Sequence, residues 1–166
     1  MTSREFEKYF RKLYLPLGMY ALRILNDAEA AEDRVMDVFA KVWQKVSDGV
    51  EIRDAKQYLY QGVRNGCISY LRTMQGRVEI EEMPEVDSET IDTSERDAAI
   101  WKAIDDLPAK CRMIFLLSKR DGLSNQEIAD ELGISIKTVK NQMTKAFSRL
   151  RQSLSKSSAI FFLPFL

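Results

Sequence analysis

The chain has 166 residues, 45% of them apolar, and carries 25 acidic against 25 basic side chains for a formal charge of zero. That length admits one domain or two small ones. It contains no histidine, which removes Ser-His and Cys-His nucleophile pairs, the usual zinc sites and the commonest general base at neutral pH.

No Gly-rich phosphate loop or paired-carboxylate motif stands out either. An enzyme is therefore not expected, and no metal, cofactor or small-molecule substrate is assigned. Met1 to Arg11 is polar and charged, unlike a signal peptide. No apolar run approaches the roughly 20 residues of a spanning helix, so a cytoplasmic protein is expected. Cys67 and Cys111 sit within apolar helical patterns and read as buried free thiols.

Almost every periodic segment has helical spacing, which predicts an all-α fold. Phe6, Phe10, Leu13 and Leu17, continuing to Tyr20, Ala21 and Ile24, form one apolar stripe, with Pro16 expected to kink or split that helix. Asn26 and Asp27 supply a capping signal for a second helix, with Glu29 three residues after Asn26. Its inner face reads Ala31, Val35, Val38, Phe39, Val42 and Val46, and Asp48-Gly49 ends it. Glu32, Asp33, Asp37, Lys41 and Gln44 project outward, as does Lys45. A third helix is predicted from about Asp54 to Thr73, with Leu59, Val63, Cys67, Tyr70 and Leu71 inward. Gly62 and Gly66 lie inside it at about 1 kcal/mol each against alanine. Either the helix begins later, after a loop, or something approaches its backbone closely. Around the glycines cluster Tyr58, Tyr60, Gln61, Arg64, Asn65, Ser69 and Arg72. Aromatics beside arginine and amide side chains suit unstacked single-stranded bases. This first helical domain is assigned to residues 1–75.

From Gly76 to Glu95 the only cation is Arg77, against Glu79, Glu81, Glu82, Glu85, Asp87, Glu89, Asp92 and Glu95. With Pro84 and almost no apolar periodicity, residues 76–93 read as an acidic linker. A second helical domain, 94–154, opens with Ala99, Ile100, Ala103, Ile104 and Leu107. Pro108 then starts a helix whose "CRMIFLL" fills a core. Ser124 and Glu127 form an S-x-x-E capping box, Gly133 supplies a left-handed stop, and Ser135 caps the next helix. Two helices joined by so short a Gly-containing turn form a helix-turn-helix.

In the second of them Val139, Met143, Ala146, Phe147 and Leu150 recur at core spacing. The opposite face carries Lys137, Lys140, Asn141, Thr144, Lys145 and Ser148, and from Ser135 to Lys156 there is no Asp or Glu. Three cations, an amide and two hydroxyls suit phosphate oxygens and base edges in a major groove.

The stretch "LSNQEIADELGISIKTVKNQMTKAFSRLR" resembles region 4 of sigma-70-family initiation factors, and equally the helix-turn-helix of LuxR-type regulators. The first domain separates the two. "AAEDRVMDVFAKVWQKV" resembles region 2.2 of the sigma-70 family, and "IRDAKQYLYQGVRNGCISYLRT" its regions 2.3 and 2.4. The compact two-domain form is similar to extracytoplasmic-function (ECF) sigma factors. The resemblance implies promoter-specific initiation with core RNA polymerase and promoter DNA as partners, and three surfaces. Glu32, Asp33, Asp37, Lys41 and Gln44 would dock on the polymerase. Tyr58, Tyr60, Arg64, Asn65, Ser69 and Arg72 would capture the melted −10 strand, with Asn65 at the position that holds a flipped base. Ser135, Lys137, Thr138, Lys140, Asn141, Thr144 and Lys145 would read the −35 element. Restraint by a membrane-bound anti-sigma factor is common in that family and is implied no further. The acidic linker would thread towards the polymerase's active-site cleft. Two alternatives stay open on the residues alone: a LuxR-like regulator acting without polymerase, and a polymerase-binding adaptor without DNA recognition. The apolar tail within residues 155–166, "SSAIFFLPFL", lies outside the shared pattern and is expected to fold back on a domain or cover a binding surface.

Overall fold

Thr2 begins the first helix with a reciprocal cap. Its N–H donates to Glu5 Oε2 at 2.6 Å, and the Glu5 N–H donates to Thr2 Oγ1 at 3.3 Å. In the computed structural model, which describes residues 1–76 and 85–155, this helix α1 (Ser3–Leu25) runs unbroken through Pro16. The expected split does not occur. Leu13, Pro16, Leu17, Tyr20 and Ala21 are all buried on one core, and that burial outweighs the roughly 3 kcal/mol a helix-interior proline costs. Asn26 ends α1 in the left-handed conformation at φ 51°, its N–H donating to the Leu22 carbonyl at 2.8 Å. Asn26 is thus spent on the end of one helix, and Asp27 alone caps the next, accepting from the Ala30 N–H at 3.0 Å. The anticipated pairing of Asn26 with Glu29 is replaced by this division of labour.

Helix α2 (Ala28–Ser47) buries Ala31, Val35, Val38, Phe39 and Val42. Helix α3 (Ala55–Gln75) starts at the Asp54 cap and passes through both glycines without interruption. Of the two explanations for those glycines, close approach holds at one. A Cβ built on Gly62 would lie 2.9 Å from Val38 Cγ1, whereas one on Gly66 meets nothing closer than Arg34 Cδ at 3.8 Å. Gly62 therefore sets how near α3 comes to α2.

Helix α4 (Ser88–Asp105) begins inside the stretch read as linker. Asp87 accepts from the Thr90 N–H at 2.7 Å, so one of the supposed linker acids is a helix start. The chain divides into two units at Ala98/Ala99, and the first half of α4 belongs to the first of them. Ile91 joins the core of α1, α2 and α3, and Val86 packs against it. Gln57 Nε2 donates to the Val86 carbonyl at 3.1 Å, Lys56 pairs with Glu95 at 2.6 Å, and Arg23 pairs with Asp97 at 2.8 Å. Charge density and the lack of a long apolar stripe hid an element held by one isoleucine and a few polar contacts. The middle of the acidic stretch, 77–84, and the tail from residue 156 lie outside the described residues, and the expectations about threading and tail packing lie there too.

In the second unit, α5 (Ala109–Lys119) buries Cys111, Ile114 and Phe115. Helices α6 (Asn125–Leu132) and α7 (Ile136–Leu154) follow. Ala103 and Ile104 from the end of α4, with Leu107 in the turn after it, meet Phe115, Ala146, Leu150 and Leu154 in one core, while Ile114, Ile128, Ala129 and Val139 form another beneath the α6–α7 turn. All seven helices, with no strand among the described residues, make an all-α protein of two helical domains.

Two stability predictions follow from the first unit. Ala at Gly62 must push Val38 aside, and overpacking of about 1–3 kcal/mol exceeds the helix-propensity gain of about 1 kcal/mol. Gly62→Ala should lower the unfolding midpoint and Gly66→Ala should raise it, by about 0.5–1 kcal/mol, in urea titrations followed by circular dichroism. Ile91→Ala should cost about 2 kcal/mol. In a Trp101→Phe background, where Trp43 fluorescence reports the first unit, an unmoved transition would mean that α4 contributes nothing to that unit.

Candidate nucleic-acid interface

The α6–α7 turn is built by local chemistry. Ser124 Oγ accepts from the Glu127 N–H at 3.2 Å while the Ser124 N–H donates to Glu127 Oε2 at 2.7 Å. Accepting that bond holds the Glu127 carboxyl below its usual pKa. Gly133 stops α6 at φ 62°, and the Ile134 N–H donates back to the Ala129 carbonyl at 3.0 Å. Ser135 caps α7, its Oγ accepting from the Thr138 N–H at 3.1 Å. Val139, Ala146 and Leu150 are fully buried, so Lys137, Lys140, Asn141, Thr144 and Lys145 are left exposed, with Ser148 beside them.

Among the described residues none of Lys137, Lys140, Lys145, Arg149 and Arg151 is held in an ion pair, and the Asn141 side-chain amide has no hydrogen bond. The hydroxyls are less free. Ser135 Oγ and Thr138 Oγ1 share a 2.8 Å hydrogen bond, and Thr144 Oγ1 donates to the Lys140 carbonyl at 3.0 Å. Cations and an amide thus supply this face with its available donors.

On α3, Tyr58, Gln61, Asn65, Ser69 and Arg72 are exposed along one side and Arg64 is half-buried. Gln61 Nε2 donates to Asn65 Oδ1 at 3.2 Å, which leaves the Asn65 NH₂ group as its available donor. Tyr60 does not belong with them. It is 0% exposed, its ring lies 5.4 Å from that of Tyr20, and burial, then the nearby Glu95 carboxylate, push its phenol pKa up. Tyr60 is two residues from Tyr58 and so points to the other side of the helix, into the core that α4 helps close. It cannot stack on a base. Between α2 and α3 runs a groove of about 510 Å³ lined by Tyr58, Asn65 and Ser69 on one wall and Arg34, Asp37 and Lys41 on the other, over Gly62 and Gly66. Sequence reasoning gave Arg34 no role, since nothing within α2 alone shows that it lines this groove.

The outward residues of α2 are all exposed, as expected. Glu32 accepts from the Tyr14 hydroxyl at 2.6 Å, a bond that raises the Tyr14 pKa to about 12. Asp37 pairs with Arg34 at 3.3 Å, and Gln44 Nε2 donates to Asp48 at 3.1 Å. Among the described residues Asp33 and Lys41 project without such ties. Trp43 is exposed too, its ring 5.0 Å from that of Phe6.

Comparison with known proteins bears on both units. Residues 9–77 match the family described as Sigma-70 region 2, and residues 97–150 match Sigma-70, region 4. The RNA polymerase sigma factor SigZ of Bacillus subtilis is 28% identical over 154 residues, covering 89% of this chain and 86% of that protein. The ECF RNA polymerase sigma factor SigL of Mycobacterium tuberculosis is 30% identical over 147 residues, 84% of this chain and 83% of its own. A solved sigma factor RpoE in complex with the anti-sigma factor NepR, from Bartonella quintana, is 22% identical at a TM-score of 0.38, over 92% of this chain and 98% of that one. With both regions present in order and a 30%-identical relative matched along most of its length, the chain belongs to the sigma-70 family as an RNA polymerase sigma factor of the ECF group.

Proposed function

We propose that this sigma factor divides its binding of core polymerase and promoter DNA among three surfaces. The face of α7 bearing Lys137, Lys140, Asn141 and Lys145, with Ser135, Thr138 and Thr144 at its edges, docks in the major groove of the −35 element. Tyr58, Arg64, Asn65, Ser69 and Arg72 of α3 take the melted −10 strand. Glu32, Asp33, Asp37, Lys41 and Gln44 of α2 meet the polymerase. The chemistry of RNA synthesis stays with the polymerase, in the cytoplasm. No helix among the described residues is long and apolar enough to cross a membrane.

The observation that carries the reading is the acid-free face of α7, unpaired among the described residues, beside a doubly capped turn. A helix-turn-helix that neutralises about 4 phosphates has a salt slope near −3.6, modest for a specific reader. Polymerase tethering then raises the effective concentration of each unit at its own promoter element. A regulator acting alone would instead bind duplex promoter DNA unaided. Lys140→Ala combined with Asn141→Ala should therefore reduce run-off transcription from a cognate promoter at least about tenfold, the loss of one to two base or phosphate contacts of about 1–3 kcal/mol. Affinity for core polymerase should be unchanged. Undiminished initiation, or equal binding of the wild-type chain to duplex DNA without polymerase, would overturn the assignment.

A further inference from the structure

The groove between α2 and α3 has a cationic edge of which the division above uses only Lys41. Arg34 lies across it, its guanidinium 5.4 Å from the Tyr70 ring centroid and one Nη 3.3 Å from Asp37. Its stem passes over Gly66, where Cδ comes within 3.8 Å of the place a Cβ would occupy. Arg34 Nε is buried and has no hydrogen-bond partner among the described residues. Lys41 lines the groove two turns further on, and the Lys45 ammonium stands 5.3 Å from the Tyr58 ring centroid. Positions 34, 41 and 45 advance along α2 by about 10 Å and then about 6 Å, at 1.5 Å per residue.

We propose that this edge is the backbone wall of a single-strand channel, in which Arg34, Lys41 and Lys45 hold phosphates of the melted strand while α3 takes its bases. The proposal rests on the −10 reading of α3. It moves Lys41 from the polymerase surface to DNA and adds Arg34 and Lys45. Three observations favour phosphate as the ligand of this wall. The cations stand opposite the exposed Tyr58, Asn65 and Ser69, the pairing of a positive track with an aromatic and amide face that single-strand binders use. Two of the three are already held against tyrosine rings, so less side-chain freedom is lost on binding. Asp37, the only acid among the described residues lining the groove, is engaged by Arg34 and so opposes an incoming phosphate less than a free carboxylate would.

A purely structural role, in which Arg34 and Lys45 only cover aromatic rings, predicts no dependence of DNA binding on their charge. The two readings separate in salt titrations. Holoenzyme assembled from the full-length chain and core polymerase is titrated with a fluorescent non-template-strand oligonucleotide from a promoter it transcribes, at several KCl concentrations. For single strands log K falls by about 0.7 per log[KCl] for each phosphate neutralised. Arg34→Gln and Lys45→Gln should each flatten the slope by about 0.7, and together by about 1.4, whereas Arg34→Lys should keep most of it. Core affinity should be unchanged for both. An unaltered slope in the double variant, or a loss that appears in core affinity instead, overturns the proposal. Lys45 is exposed, so Lys45→Gln alone still decides if Arg34→Gln disturbs the fold. Wild-type holoenzyme that fails to bind the oligonucleotide at any salt would sink the −10 reading itself, a result distinct from unchanged slopes.

Discussion

The distance between α2 and α3, fixed where Gly62 meets Val38, is the constraint on which the first unit's surface chemistry depends. A helix interior that tolerates glycine gives up about 1 kcal/mol against alanine. Here the loss is matched by contact, because the missing Cβ lets Val38 settle against the α3 backbone. Brought this close, the two helices bury Val63 and Cys67 against Val35, Val38 and Val42, and their upper rims form one groove. One turn later the Arg34 stem crosses over Gly66 towards Tyr70, with Cδ 3.8 Å from where a Cβ would sit. Packing in the core and the arrangement of charge at the surface are thus two effects of the same spacing.

The second unit solves a different problem by segregation. Its apolar residues on α7 recur so regularly that Val139, Ala146, Leu150 and Leu154 are buried, with Met143 and Phe147 partly so, while Lys137, Lys140, Asn141, Thr144 and Lys145 are left exposed. Excluding acids from that exposed side leaves its cations without ion-pair partners among the described residues, and a cation that is not already paired forfeits less when it meets a phosphate. The formal charge of the whole chain is nonetheless zero, because acids are concentrated ahead of this unit. Net neutrality limits non-specific attraction to nucleic acid, while local segregation keeps the binding face strong within a Debye length of about 8 Å.

What could be read before the structure was largely what short-range physics dictates. Asp27, Ser124 and Ser135 announced helix starts because a side-chain oxygen bonds an N–H two or three residues on, whatever the rest of the chain does. The α7 faces were legible for a similar reason, since core spacing alone sorts them. The failures were tertiary. Tyr60 was grouped with Tyr58 by proximity in sequence, although residues two apart on a helix face different ways. Pro16 obeys a strong local rule that the packing of Leu13, Leu17 and Tyr20 overrides. The start of α4 was concealed because its acids suggested a solvated spacer, and only the neighbouring helices reveal that Ile91 has a core to enter. Arg34 was invisible because its meaning comes from Gly66 and Tyr70 on another helix.

How α4 is held matters for any measurement that varies salt. Two ion pairs, Arg23–Asp97 and Lys56–Glu95, fasten its first half to the first unit, with side chains about a third exposed. Pairs of that kind are worth about 0–1 kcal/mol each and are screened as salt rises. Burying Ile91, with Ala98 and Ser94 beside it, contributes more, about 2 kcal/mol or above for the isoleucine alone, and that part does not weaken with added salt. The ordering of magnitudes has a consequence. Rising ionic strength should loosen the polar fastenings of α4 without detaching it, so the core around Tyr60 persists and the groove between α2 and α3 keeps its shape. A change in DNA affinity across such a series then reports phosphates released from cations, and not the melting of the unit that carries them.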